Sequence, residues 1–193
     1  MDSAPPGDAS LAVVILAGGE GRRMGGAKPL RQLGTRTLLD RAIERASEWS
    51  DTIAISARDR GQVGDTGWAV LIDPPGLAGP LAGLAAAREL RCDRVLAIPC
   101  DMPFLPGDLP QRLAAVLPGH AAALASAGGR LHPVCGLWTR GALDQIEAYA
   151  ASGRYSVIGL AESVGFATAE LDEGSARNIN TPDELAAAQA RAG

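Results

Sequence analysis

Sixteen residues near the start of the chain, ILAGGEGRRMGGAKPL from Ile15 to Leu30, hold five glycines, two arginines and a lysine. Gly18, Gly19, Gly21, Gly25 and Gly26 leave a backbone that can approach a ligand closely and turn successive amides toward an anion. Between Glu20 and Arg36 the cations Arg22, Arg23, Lys28, Arg31 and Arg36 face one carboxylate, Glu20, a local charge of +4 in a chain of net charge -4. Bare backbone and concentrated positive charge together describe a polyphosphate site. Lys28 is the single lysine among eighteen basic residues. A compact ammonium suits several phosphate oxygens gathered around one point charge. Neither common phosphate loop fits. The dinucleotide pattern GxGxxG, begun at Gly19 and Gly21, meets Met24 where glycine is required, and Gly26, Ala27, Lys28 and Pro29 lack the spacing and hydroxyl of a GK[ST] ending.

The acids that could complement this loop follow apolar runs. Asp101 stands in PCDMPF, after the run Arg94 to Ile98, with Pro99 and Pro103 stiffening the backbone around it. A carboxylate in that position can ligate Mg²⁺, which takes one or two protein carboxylates and completes its shell with water and substrate phosphates. Asp73 follows the run Ala69 to Ile72 and precedes two prolines, so it serves either as a functional carboxylate or as a turn former. After it, GLAGPLAG from Gly76 to Gly83 enters a helix, with Pro80 suited to the first helical position. In NINTP, Asn178 and Asn180 lie just before a helix that Thr181 can cap, which leaves their amides for the crevice.

These loops need a frame that brings them to one edge. Apolar runs of strand length recur at Leu11–Ala17, Thr52–Ala57, Ala69–Ile72, Arg94–Ile98, Ala121–Ala125 and Val134–Trp138. Helical patterns separate several of them. Leu39, Ala42, Ile43, Ala46 and Trp49 form one stripe over about Thr37 to Trp49, and Leu81, Leu84, Ala85 and Leu90 a second. Leu109 to Leu117 gives a third, and Leu143, Ile146 and Ala150 a fourth. In NINTPDELAAAQARA a final helix opens with Thr181, Pro182 and Glu184 in capping-box register. Strands without clean alternation between amphipathic helices predict an α/β domain, a doubly wound and mostly parallel sheet with helices on both faces. Such sheets bind ligands at the carboxyl ends of their strands, where the loops above must lie.

A chain of 193 residues suits one such domain, burying roughly 70% of the surface its unfolded form exposes. Residues 1–10 read as a disordered tail and 11–193 as a single domain. Net charge of -4 gives no general attraction to nucleic acid or anionic lipid, and neither a signal sequence nor a membrane span is predicted, so a cytoplasmic protein is expected. Three cysteines, Cys92, Cys100 and Cys135, make no disulfide framework or CxxC zinc site. His120 and His132 are too far apart for a histidine-based metal site, although His132 sits beside Pro133 in a loop-to-strand context.

LAGGEGRRMGGAK (Leu16 to Lys28), GPLAG (Gly79 to Gly83), PCDMPF (Pro99 to Phe104), LHPVCGLW (Leu131 to Trp138) and NINTPDEL (Asn178 to Leu185) together resemble the molybdenum cofactor guanylyltransferases, the MobA family, within the sugar-nucleotide-pyrophosphorylase-like nucleotidyltransferases. The likeness runs from Val14 to Leu185 and implies a Rossmann-like domain that transfers GMP from GTP to molybdopterin, with Mg²⁺, releasing pyrophosphate. By position it implies that Leu16, Ala17, Gly18 and Gly19 hold the nucleotide, Lys28 its phosphates and Asp73 the nucleoside side. Asp101 would hold both nucleotide and metal. Arg22 and Lys28 would act with Asp101 in catalysis by neutralising the leaving pyrophosphate, and His132, Arg154 and Asn180 are candidates for the pterin side. Transient contact with cofactor-biosynthesis proteins or acceptor molybdoenzymes belongs to the same expectation. Two departures stand out: Ser56 replaces an asparagine frequent in the family at the nucleotide site, and GGAKPL shortens the approach to the lysine. Transfer of CMP from CTP to the same acceptor and a non-catalytic nucleotide-sensing role stay open as alternatives.

Overall fold

The central strand β1, Leu11–Leu16, is built of residues that are apolar without interruption, and it divides them between two cores. Val13 and Ile15 enter one cluster, Ala12 and Val14 the other. A strand buried on both faces is what a continuous apolar run specifies, and covering both faces takes two helical layers. The structure, a computed structural model, describes residues 10–19 and 28–192.

Chain order gives β1, then a small antiparallel hairpin of β2 (Gln32–Leu33) and β3 (Arg36–Thr37), and helix α1 (Leu38–Ser47). Strand β4 (Ile53–Ala57), strand β5 (Ala69–Ile72), helix α2 (Pro80–Ala86) and strand β6 (Arg94–Pro99) follow. Helix α3 (Leu109–Val116) leads to the hairpin of β7 (Ala122–Ala127) and β8 (Arg130–Thr139). Helices α4 (Arg140–Asp144), α5 (Ile146–Ala151) and α6 (Val157–Val164), strand β9 (Phe166–Leu171) and helix α7 (Pro182–Ala192) complete it. The seven-stranded sheet has the order β5-β4-β1-β6-β8-β7-β9. All its neighbours are parallel except β8, which runs antiparallel to both β6 and β7. Helices α1 and α3 cover one face through Leu39, Ala42, Leu109 and Leu113. Helices α2, α4, α5 and α6 cover the other through Leu81, Leu84, Leu143, Ile146 and Leu160. The expected doubly wound α/β fold is observed.

Local sequence accounts for the element ends. Thr37 accepts from the Asp40 amide while the Asp40 side chain accepts from the Thr37 amide, the reciprocal cap that starts α1. Thr181 and Glu184 do the same for α7. The fourth expected helix is two short ones, α4 and α5, joined at Gln145. Strand β8 extends beyond the expected Val134–Trp138 on both sides. Its pairing with β7 shifts register between Leu124, opposite Gly136, and Ala125, opposite His132, so the irregularity falls around Pro133, which has no amide for the ladder. Strand β9, helix α6 and the β2–β3 hairpin were not among the expected elements.

A third cluster, small but close to the ligand edge, joins Leu33 and Leu38 to Ile179 and Ala188, with Phe104 and Leu185 packed against it. It fastens the segment before α7 to the hairpin that follows the glycine loop. Cys100 and Cys135 are buried and Cys92 is half-buried, none of them in a disulfide. Among the described residues, no helix is long and apolar enough to cross a membrane.

Candidate active site

Parallel strands β1, β4, β5 and β6 end together, and a cleft opens over those ends. Leu16, Ala17, Gly18 and Gly19 come from β1 and its exit, Ser56 from β4, Asp73 from just beyond β5, and Asp101 from just beyond β6. Lys28 arrives from a turn of 3₁₀ helix, Lys28–Leu30, in which it and Pro29 are buried. Every described residue expected to bind nucleotide therefore lines one cleft. Arg22, Arg23, Gly21, Gly25 and Gly26 lie outside the described residues.

Lys28 is 9% exposed and its ammonium bonds two side chains. Nζ donates to Asp101 Oδ2 in a close ion pair and to Asn180 Oδ1 at 2.7 Å. The other Asp101 oxygen, Oδ1, accepts from Asn178 Nδ2 at 3.0 Å. One ammonium, one carboxylate and two amides thus form a continuous polar cluster, satisfying the need of buried charge for bonded partners. The intervening Ile179 explains the pairing. Its side chain is buried in the third cluster and its amide donates to the Asp101 carbonyl at 2.9 Å. With Ile179 fixed, its two neighbours reach Asp101 and Lys28 from either side. Glu184 Oε2 accepts from the amides of Asn180 at 2.6 Å and Thr181 at 3.0 Å, and the Asn180 amide foremost holds its carboxyl below the ordinary range. The cap of α7 is thereby also a brace for the cluster.

Asp73 sits across the cleft in a second arrangement. Burial pushes its carboxyl above the ordinary range, opposed by the Ser56 hydroxyl and the Arg58 guanidinium. Ser56 Oγ donates to Asp73 Oδ1 at 2.7 Å. A β-carbon on Gly18 would stand 3.0 Å from Asp73 Oδ2, so the second oxygen lies against the backbone just beyond β1. Helix α2 closes this side. Gly79 has φ of 65° and ψ of -158°, a conformation essentially reserved for glycine, and Pro80 occupies the first turn. Gly83 lets the helix reach the strands: a β-carbon there would be 2.5 Å from Leu16 Cδ2 and 2.6 Å from Ser56 Oγ.

One expectation needs correction. Arg154 is not on the crevice. Its guanidinium lies 4.5 Å from the centre of the Tyr149 ring, in a cavity shared with Ala121 and Thr139 at the opposite end of the sheet. Asn180 is bonded to Lys28 and also lines the cavity that holds His132. His132 does lie on the ligand edge, in a neighbouring cavity with Arg130, Arg177, Asn178 and Asn180. Burial, with Arg130 nearby, pushes its imidazole below its ordinary value. Arg177 went unnoticed in the sequence, although it immediately precedes Asn178. Cys100 adjoins Asp101, but burial and that carboxylate push its thiol up to about 12, so it offers no thiolate at neutral pH.

Among the described residues no group of three or more His, Cys, Asp or Glu gathers as a metal cage. Asp101 nevertheless suits a hard cation, because Mg²⁺ needs few protein oxygens when phosphates and water supply the rest. Chemically the cleft offers a cation for a polyphosphate, a carboxylate at a strand end and a second, half-buried carboxylate across from it.

Comparison with known proteins gives the family and the fold. Residues 13–164 match the model of a MobA-like NTP transferase domain. A molybdenum cofactor guanylyltransferase of Cereibacter sphaeroides is 43% identical over 182 residues, covering 91% of this chain and 94% of its own. One from Acidiphilium cryptum is 40% identical over 197 residues, covering 97% and 98%. The crystal structure of molybdopterin-guanine dinucleotide biosynthesis protein A from Archaeoglobus fulgidus superposes with a TM-score of 0.80 at 23% identity, covering 94% of this chain and 98% of that one. The strand ends that carry Leu16, Ser56, Asp73 and Asp101 fall within the matched span, and the chain belongs to the MobA-like NTP transferase family.

Proposed function

We propose that this protein transfers GMP from GTP to molybdopterin, forming the guanine dinucleotide of the cofactor and releasing pyrophosphate. The observation that carries the reading is the Lys28–Asp101–Asn180 cluster at the strand ends, in a chain whose relatives bear the guanylyltransferase name over nearly their whole length.

In this reading the triphosphate lies along the loop after β1, with the backbone of Leu16 to Gly19 against the nucleotide. Lys28 and Arg22 take the β- and γ-phosphates. Ser56 and Asp73 form the nucleoside wall. An oxygen of the acceptor phosphate attacks the α-phosphorus in line. The bond from that phosphorus to the bridging oxygen breaks, and its electron pair leaves on pyrophosphate. The acceptor oxygen is already anionic, so the protein's work is positioning and charge neutralisation, without a covalent intermediate. Lys28 would exchange Asp101 for phosphate oxygens as nucleotide enters, leaving Asp101 for a divalent cation, Mg²⁺. When bound, such a cation would neutralise α-phosphate charge. His132, Arg177 and Asn180 line the adjacent cavity and form the acceptor side. Transient contact with proteins that supply or receive the cofactor follows from a product that is itself a protein cofactor.

The test is pyrophosphate release with molybdopterin and Mg²⁺. GTP should support turnover and CTP should not. Asp101→Asn should lower release at least about a hundredfold, the scale of losing a group that stabilises the transition state. Turnover with CTP alone would replace the guanylyl reading by a cytidylyl one. GTP binding without release would leave a nucleotide sensor.

A further inference from the structure

The nucleoside wall holds a group that cannot work by touching substrate. Ser56 is 1% exposed, so its hydroxyl has almost no surface to offer a ligand. Its proton is committed to Asp73 Oδ1 at 2.7 Å, and its remaining side is closed by helix α2, where Gly83 leaves just enough room for the oxygen. Ser56 and Asp73 are brought together by β4 and β5: Ser56 is paired with Leu71, Ala57 with Ile72, and the Asp73 amide then donates to the Ala57 carbonyl at 3.0 Å. The backbone of Asp73 is thereby fixed by the sheet, and its carboxylate by the serine. What remains is Oδ2, held beside Gly18 at the cleft.

Building on the nucleotide-binding reading, we infer that Ser56 is a positioning residue for nucleoside recognition: it locks the Asp73 carboxylate so that Oδ2 faces the cleft and accepts a hydrogen bond from the bound nucleoside. An ionised carboxylate accepts and does not donate, so its partner must be an N–H or O–H of the nucleoside, an amine of the base or a ribose hydroxyl. Preorganisation is the physical gain. A carboxylate free to rotate would have to be ordered at each binding event, whereas one already bonded to an enclosed hydroxyl is ordered beforehand. The short serine is matched to Gly83, because a β-carbon at position 83 would stand 2.6 Å from Ser56 Oγ and 3.2 Å from Ser56 Cβ.

The experiment measures dissociation constants for GTP, 2′-deoxy-GTP and ITP with the intact protein and its Ser56→Ala, Asp73→Asn and double variants. Alanine is smaller than serine and suits a strand, and unchanged melting of Ser56→Ala would establish that the fold is intact. Ser56→Ala should weaken GTP binding about three- to tenfold, the range of one hydrogen bond. In the double variant the loss should match that of Asp73→Asn alone, since the serine acts through the aspartate. The analogue whose binding Ser56→Ala no longer weakens names the donor, the ribose hydroxyl for 2′-deoxy-GTP or the exocyclic amine for ITP. A structural role would weaken all three alike and leave the two substitutions additive, and that result overturns the inference. Unchanged GTP affinity in Ser56→Ala also overturns it. Failure of the unaltered protein to bind GTP would instead reject the underlying functional reading.

Discussion

Gly83 shows how little room the site has at the scale of single residues. A methyl group there would stand 2.5 Å from Leu16 Cδ2 and 2.6 Å from Ser56 Oγ, contacts that either helix or strand must yield to relieve. Gly83→Ala should therefore cost about 1–3 kcal/mol in urea unfolding, the usual range for overpacking, and should weaken nucleotide binding. Gly141→Ala in α4, where nothing lies within 4 Å of the added carbon, should cost nothing and serves as the control. The chemistry-bearing residues were legible from composition: a lone lysine in a glycine loop and an aspartate after an apolar run announce themselves by type. Their partners were not. That Lys28 would bond Asp101 and Asn180, or that Ser56 would bond Asp73, depends on strand register and on where Ile179 is buried, and neither is written in the side chains concerned.

At the scale of elements, α7 carries no residue that lines the cleft of Lys28 and Asp101, yet its first turn anchors Asn180, whose side chain bonds that lysine. Thr181 and Glu184 cap it, and Glu184 also accepts from the Asn180 amide. Thr181→Ala should cost about 1 kcal/mol of stability by chemical unfolding, as loss of a helix cap does. The pH dependence is separate. Because the native carboxyl of Glu184 lies below its unfolded value of 4.5, it stabilises the fold above that pH and loses this effect as pH falls through the native value. Glu184→Gln should be less stable than the parent at neutral pH, and their unfolding curves should converge in acid. Convergence at neutral pH, or none in acid, would show that the ionised carboxylate adds nothing. Element prediction worked where the pattern was strong and failed for identifiable reasons. Pro133 disguised the first half of β8. The run FATAEL of β9 alternates buried Ala169 and Leu171 with exposed Thr168 and Glu170, but alanine and threonine carry too little contrast to reveal a period of two. The direction of β8 could not be read at all, because an apolar strand does not state which way its neighbours run.

The whole molecule is a sheet with a protected middle and softer edges. Val13, Val14, Ile15, Leu96 and Ala97 are fully buried in β1 and β6, whereas β5 is an edge strand on which Ile72 is exposed. Native-state hydrogen exchange should find the amides of β1 and β6 at least about a hundredfold slower than those of β5, since local opening is easiest where backbone and side chains already meet water. Equal protection across the sheet would refute this picture. The ligand edge inherits the asymmetry: Asp101 issues from the rigid centre, while Asp73 issues from the edge. The connection of greatest reach in the site is the bond from Lys28 to Asn180, which spans 152 positions of the chain. At roughly 5–20 residues per second, a ribosome needs roughly 8–30 seconds to make the intervening chain. Throughout that interval the loop after β1 exists without the amide that steadies the lysine, so the cluster comes into being only after translation has passed Asn180.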